Sequence, residues 1–336
     1  MSNRKLNRRQ AWRIQKIQKD RLSRAQRRIK KTETAAGDIL GPEQYGTIIA
    51  HFGANLEVEN QQGEAIHCLT RANLPKLVCG DQVVWQSTGQ DQGIIVSLVP
   101  RNSLLSRPDP HGDLKPVAAN IDQILVVSAP QPGLDEDIIN RYLVACVITD
   151  ITPVILINKS DLLGKQEKHQ LDELLSIYQN LGYPVLFTST HERDGLNDLR
   201  AMLKDKTSIF VGQSGVGKSS LIKQFIPDTN IQVGELSRST GLGKHTTTVT
   251  VLYHMPQGGN IIDSPGVREF GLDHLSPEQL AEGFVEFRNF LGQCKFKDCR
   301  HQQEPDCAIK NAVGEGEISL RRFQSYQRLS KSLGRR

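Results

Sequence analysis

Gly212-Gln213-Ser214-Gly215-Val216-Gly217-Lys218-Ser219 follows directly on the apolar run Ile209-Phe210-Val211 and leads into Ser220-Leu221-Ile222-Lys223. The pattern is G-x-x-x-x-G-K-S, and it restricts the fold more than any other stretch of the 336-residue chain. It predicts a buried strand, a glycine loop and a helix in immediate succession. In that context the backbone N–H groups of the loop and the helix N-terminus converge on phosphate oxygens. Lys218 can reach the β- and γ-phosphates, and the Ser219 hydroxyl can ligand Mg2+. Gly212 through Ser220 is therefore the first candidate binding segment.

The sequence around this loop alternates as an α/β sheet requires. Ile124–Val127, TPVILIN at 152–158, YPVLFTS at 183–189 and TSIFVG at 207–212 read as buried strands. DEDIINRYLVACVIT, LDELLSIYQNLG and GLNDLRAMLKD read as the helices between them. Such alternation implies a parallel sheet with its binding loops at the strand C-termini.

Four further loops carry chemistry. Asn158-Lys159-Ser160-Asp161 ends a strand and resembles the NKxD base-recognition motif of GTPases, where the carboxylate accepts from guanine N1–H and its exocyclic amine. Ser189-Thr190 ends the next strand, at the place of a base-supporting loop. His245-Thr246-Thr247-Thr248 follows a Gly-rich stretch, and Asp263-Ser264-Pro265-Gly266 resembles the DxxG loop. In GTPases the Asp of that loop acts through water on Mg2+, the Gly N–H senses the γ-phosphate, and a Thr of the first switch completes the Mg2+ shell. Asp263, Gly266 and either Thr247 or Thr248 fit those roles.

Ordinary GTPases place the phosphate loop first and NKxD late, whereas here NKSD precedes it. The five motifs in this order resemble the RsgA (YjeQ) family of circularly permuted, small-ribosomal-subunit-dependent GTPases, over about residues 38–310. The resemblance implies GTP hydrolysis stimulated by the small subunit, binding to 16S rRNA late in assembly, and a cytoplasmic location. One position departs from ordinary GTPases. Val267 follows the DxxG loop where a Gln often orients the attacking water. His245 matches the position of a histidine given that task in this family.

Two more regions flank the α/β part. Between Tyr45 and about Arg107, five short β-rich runs (YGTIIAHFG, NLEVEN, EAIHCLT, DQVVWQS, GIIVSLVP) predict a small barrel, OB-like or SH3-like, with the OB form preferred. Cys294-x4-Cys299-x-His301-x5-Cys307 supplies three thiols and an imidazole within 14 residues. Such a set makes a closed, structural Zn2+ site. The surrounding KFKDCRHQQEPD is too polar to build a core of its own. Cys68, Cys79 and Cys146 read as small buried residues.

The expected architecture is a multidomain chain: a basic flexible arm (1–37), an OB-like β-barrel (38–106), a circularly permuted P-loop GTPase domain (107–280), and a mostly helical zinc-binding domain with a basic tail (281–336). No segment reads as a secretory signal or a membrane span, and a monomer is expected. DSPG runs straight on into the zinc segment, so residues 267–290 are expected to relay nucleotide state to the zinc domain.

Charge divides the same way. Residues 1–31 carry a net +12, residues 321–336 carry +6, and the body between carries −13. Basic ends on an acidic body suggest chemistry in the middle and docking on a polyanion at the ends. Two other readings remain open at this level: an RNA-binding scaffold that uses GTP as a structural ligand, and a GTPase acting on another RNA. A chain lacking residues 1–31 should keep its basal turnover and bind small subunits more weakly. The loss should be largest at low salt and shrink as salt rises, because each phosphate contact removed takes about 0.7–0.9 off the log–log salt slope. Unchanged binding at low salt and an unchanged salt slope in a sedimentation assay would refute this role for the arm.

Overall fold

The computed structural model describes residues 40–52, 55–89, 91–109, 113–226, 250–264, 272 and 275–333. Five strands form the barrel: β1 (Glu43–Phe52), β2 (Asn55–Glu59), β3 (Ala65–Thr70), β4 (Gln82–Gly89) and β5 (Gln92–Leu98). They run in the order β1-β2-β3-β5-β4, and β4 pairs back onto β1. Only the β3–β5 pairing is parallel. This closed five-strand order is the OB arrangement, so the OB expectation holds over the SH3-like one. Ile48, Leu56, Val58, Ile66, Val83, Trp85 and Ile95 fill it.

A hairpin of β6 (Leu104–Pro108) and β7 (Leu114–Ala119) leads to the second sheet. The strands there are β8 (Gln123–Ser128), β9 (Thr152–Asn158), β10 (Val185–Thr188), β11 (Thr207–Val211), β12 (Val251–His254) and β13 (Asn260–Asp263). Their spatial order is β10-β9-β8-β11-β13-β12, parallel except for the antiparallel edge strand β12. Strand β11, which feeds the glycine loop, lies in the interior of this sheet.

The continuous apolar runs of the interior strands have a simple cause: both faces are covered. Ile124 and Val126 of β8, Ile155 and Ile157 of β9, and Ile209 and Val211 of β11 face one core. Leu125, Val127, Val154, Leu156 and Phe210 face the other. Helices α3 (Asn197–Leu203) and α4 (Lys218–Phe225) cover the second face through Leu199, Leu203, Leu221 and Phe225.

The first face is covered by α1 (Glu136–Thr149) and α2 (Lys165–Asn180), and beyond them by the C-terminal helices α5 (Pro277–Gly283), α6 (Ala308–Gly314) and α7 (Leu320–Ser332). Phe284, Phe287, Ile309, Phe323, Tyr326 and Leu329 belong to the same continuous core as the sheet. Gly283 has no side chain because Val144 of α1 sits against it, with Cγ1 2.6 Å from where a Cβ would be.

Two of the expected domain boundaries fall within secondary-structure elements. The 106/107 boundary falls inside β6 and the 280/281 boundary inside α5. Composition changes where the chain changes role, whereas an element continues until its backbone hydrogen bonds end. The tail also differs from its sequence reading. Of its six basic residues, Arg321 pairs with Glu136, Arg322 with Glu286 and Arg328 with Asp137. Half of the tail's charge thus serves the fold. Cys68, Cys79 and Cys146 are buried as expected.

The barrel meets the second sheet at one strand pairing, Ala50 with Val251. A histidine reinforces it. His254 of β12 has Nε2 2.9 Å from Glu59 Oε2 on β2 and Nδ1 2.7 Å from Asn260 Oδ1. Two oxygen acceptors around one ring favour the doubly protonated imidazolium. The hydrogen bond to Glu59 raises the His254 pKa above its usual value, against partial burial, and the Glu59 charge and Asn260 add to the rise. A raised folded-state pKa means the contribution is fully present below the unfolded value of about 6.5 and is lost as pH rises through the folded value. The melting-temperature gap between the native chain and His254→Leu should therefore be widest near pH 6 and narrow above neutrality. A gap constant from pH 6 to 9 would show that the contact is not an ion pair.

Candidate functional site

The glycine loop needs backbone shapes that side chains resist. Gly212, Gly215 and Gly217 have φ of +132°, +84° and +93°. A Cβ on Gly212 would collide with the Val127 carbonyl, and one on Gly217 with the Asn158 amide. The loop is thus pressed against the ends of β8 and β9, and Gly217 caps α4. Val216 is fully buried beneath it. Lys218 curls back over the loop, donating to the carbonyls of Gly212 (2.7 Å) and Gln213 (2.6 Å). Ser219 and Ser220 lie exposed in the first turn of α4, and Ser214 is exposed at the loop crest.

The NKSD segment meets this loop from the neighbouring strand. Asn158 ends β9, fully buried. Its amide donates to Val216 O (2.9 Å) and accepts from Thr188 Oγ1 (3.2 Å). It braces three strand ends together. Lys159 takes a left-handed turn (φ 59°) and donates from Nζ to Gly215 O (2.7 Å) and Gln131 O (3.1 Å). Ser160 and Asp161 open a short 3-10 turn. Ser189, fully buried after β10, donates to Asp161 Oδ1 at 2.5 Å and accepts from the His191 N–H. That aims the Asp161 carboxylate. Thr190 follows, half-buried.

Asp263 closes β13, half-buried, and the next residue, Ser264, accepts from the Thr250 hydroxyl at 3.0 Å. His245, Thr247, Thr248, Gly266 and Val267 lie outside the described residues.

The segment after β8 was not picked out from sequence. Gly133 O accepts from Gln213 Nε2 (2.5 Å), and Gln131 O accepts from Lys159. The signal was present in Pro132-Gly133, a turn pair directly after a buried strand of a parallel sheet, where binding loops lie.

The second predicted site also assembles. The ligating atoms of Cys294, Cys299, His301 and Cys307 all lie within 4.8 Å of one another. His301 Nδ1 is 3.5, 3.6 and 3.4 Å from the sulfurs of Cys294, Cys299 and Cys307, and the Cys294 and Cys307 sulfurs are 3.9 Å apart. A tetrahedron with bonds of about 2.3 Å to sulfur and 2.0–2.1 Å to nitrogen has edges of roughly 3.8 and 3.5 Å. The donor set therefore fits a four-coordinate metal ion. Burial pushes the Cys299 thiol up to about 12 and raises Cys307, while desolvation lowers His301. Metal uptake must displace the thiol protons, which makes it pH-dependent.

Four loops of the expected five thus have described residues, and these sit at the C-terminal ends of β9, β10, β11 and β13. Their chain order is permuted relative to ordinary GTPases. A family model described as RsgA GTPase matches residues 98–273. The chain belongs to the RsgA GTPase family. The small ribosomal subunit biogenesis GTPase RsgA of Ectopseudomonas mendocina is 50% identical over 338 residues, covering 99% of this chain and 98% of that one. Its counterpart in Pseudomonas aeruginosa is 48% identical over 334 residues, with the same coverage. Among solved structures, YjeQ from Thermotoga maritima superposes with a TM-score of 0.71 at 33% identity, covering 88% of this chain and 100% of that one. YloQ, described as a circularly permuted GTPase, gives 0.68 at 30% identity, covering 87% and 95%.

As an RsgA-family member the chain is an enzyme, a GTPase. Among the described residues no helix is long and apolar enough to cross a membrane. Elemental analysis of the purified protein should find about one metal ion per chain. Cys307→Ser should lower that content and the melting temperature together. A metal-free chain of undiminished stability would refute the site.

Proposed function

We propose that this GTPase acts on the small ribosomal subunit late in its assembly, binding 16S rRNA and leaving when GTP is hydrolysed to GDP and phosphate. The observation that carries the reading is the convergence of Lys159, Asp161, Ser189, Lys218 and Asp263 on one edge of the sheet. The names of the relatives supply the partner.

In this reading Asp161, aimed by Ser189, accepts from the guanine edge, and an adenine would set a lone pair against it. Lys159 lies along the base, and Asn158 holds the two loops at the right spacing. Ser160 and Thr190 complete the base side. The backbone of Gln213 to Ser220 and the Lys218 ammonium hold the phosphates. Ser219, Asp263 and Thr247 or Thr248 hold Mg2+, and Gly266 senses the γ-phosphate. A Mg2+ ion held there would neutralise charge developing on the phosphates. His245 orients the attacking water in place of the glutamine that Val267 replaces. The Cys294, Cys299, His301 and Cys307 set holds one structural Zn2+ that orders a polar segment.

The arm, barrel, GTPase and zinc regions divide the work, with RNA contact centred on the arm because half of the tail's basic residues are engaged internally. The protein works in the cytoplasm as a monomer.

The test is GTP turnover measured alone and with purified small subunits, large subunits or tRNA, for the native chain and for His245→Ala. Stimulation by small subunits alone is expected. His245→Ala should bind GTP normally and lose most of the stimulated rate. Stimulation by another RNA species, or no turnover at all, would overturn the reading.

A further inference from the structure

The loop that seats Lys159 and Gln213 is the one that starts α1. From Gln131 and Gly133 the chain passes to Asp135, the N-cap of α1, whose side chain accepts from the N–H groups of Asp137 (2.9 Å) and Ile138 (3.1 Å). The position of the Gln131 and Gly133 carbonyls therefore depends on where the first turn of α1 is held.

That turn is held by the C-terminal helix. Arg328 donates to both oxygens of Asp137, from Nε at 2.6 Å and Nη2 at 2.8 Å. This two-point geometry fixes orientation as well as distance. Ser325 adds a third bond to Asp137 at 2.6 Å, and Arg321 donates to Glu136 at 2.7 Å. Both acids sit in the first turn of α1, where the helix dipole favours negative charge. Partial burial pushes the Asp137 carboxyl upward, yet the bonds from Arg328 and Ser325 hold it below the usual range.

We propose that α7, through Arg321, Ser325 and Arg328, is a positioning element for the guanine-nucleotide site: it holds the first turn of α1 and with it the Gln131 and Gly133 carbonyls that seat Lys159 and Gln213. None of the three side chains is placed on the nucleotide. They act through α1, and Lys159 and Gln213 are the groups whose position they set. The inference rests on the assignment of the P-loop and NKSD segments to guanine-nucleotide binding.

The role predicts a particular split in kinetics. Loosening the clamp disturbs the seats of Lys159 and Gln213 but leaves Lys218 and Ser219 on their own strand and helix. Nucleotide affinity should fall while the rate at saturating GTP holds. The Arg328–Asp137 pair is partly exposed (54% and 30%), so the effect of breaking it is modest.

The experiment uses the full chain and a fluorescent GDP titration, with basal kcat and KM for GTP and an unfolding midpoint measured alongside. Arg321→Ala/Arg328→Ala should weaken GDP binding and raise KM roughly threefold with kcat unchanged. Arg328→Lys, which keeps the charge, should recover part of the loss. Lys115→Ala breaks an ion pair to Asp109 on the hairpin, away from the first turn of α1, with a cation as exposed as Arg328, and should leave GDP affinity unchanged. Ser325→Ala removes one hydrogen bond and no charge, and gives the decisive measurement if the double variant does not fold. Equal GDP affinity in the native chain and the α7 variants, or an equal loss in Lys115→Ala, would overturn the proposal. A native chain that binds no guanine nucleotide would instead overturn the site assignment beneath it.

Discussion

Arg322 keeps only 1% of its side-chain surface in contact with water, and the packing of the whole C-terminal region turns on its guanidinium. Nε and Nη2 engage the two oxygens of Glu286, Nη1 donates to the Asn140 side chain, and the plane lies 4.5 Å from the Phe284 ring and 5.6 Å from that of Tyr178. Four elements contribute: α7, the turn after α5, α1 and α2. A buried ion pair is no gain over an apolar pair of the same shape, but losing one partner strands the other at a cost of about 3–5 kcal/mol. What the group supplies is a single way of seating the C-terminal helices on the nucleotide-binding sheet.

That joint alters how the permuted order should be understood. Circular permutation leaves the sheet intact and moves the chain ends. The barrel enters beside β12, and the chain leaves the sheet after β13 for the region of the Cys/His cluster. The expected link between nucleotide and zinc runs along residues 267–290, part of which lies outside the described residues. The packing provides a second link. The loop of the Cys/His cluster rests on α7 through Tyr326 Oη to Arg300 O (3.0 Å) and Gln302 to Ser330 (2.9 Å), and α7 rests on α1. The C-terminal region is less an appended lever than part of one core.

Legibility from sequence followed the type of signal. The P-loop, NKSD and the Cys/His cluster were readable because each needs fixed residue types at fixed spacing, and the folded chain brings each set together. Four strands of the second sheet, β8 to β11, were readable because their apolar runs call for burial on both faces. The β6–β7 hairpin was hidden: PDPHGDLKP carries three prolines, two aspartates and little apolar surface, so nothing in it alternates. The internal use of Arg321, Arg322 and Arg328 was hidden for a different reason. An arginine in a basic tail looks the same whether its partner is a phosphate or a carboxylate 36 to 191 residues away in the chain. Asn158 carried the right name for a base-side residue, but only the fold shows that its amide is spent on Val216 and Thr188.

The bond between the Thr250 and Ser264 hydroxyls joins two points 14 residues apart in sequence. One ends the stretch that contains His245 and the threonine cluster, and the other begins the stretch that contains Gly266. Both therefore depart from a common knot at the foot of β12 and β13. The residue before β12 and the residue after β13 are thereby held at one fixed spacing at the same end of that antiparallel pair.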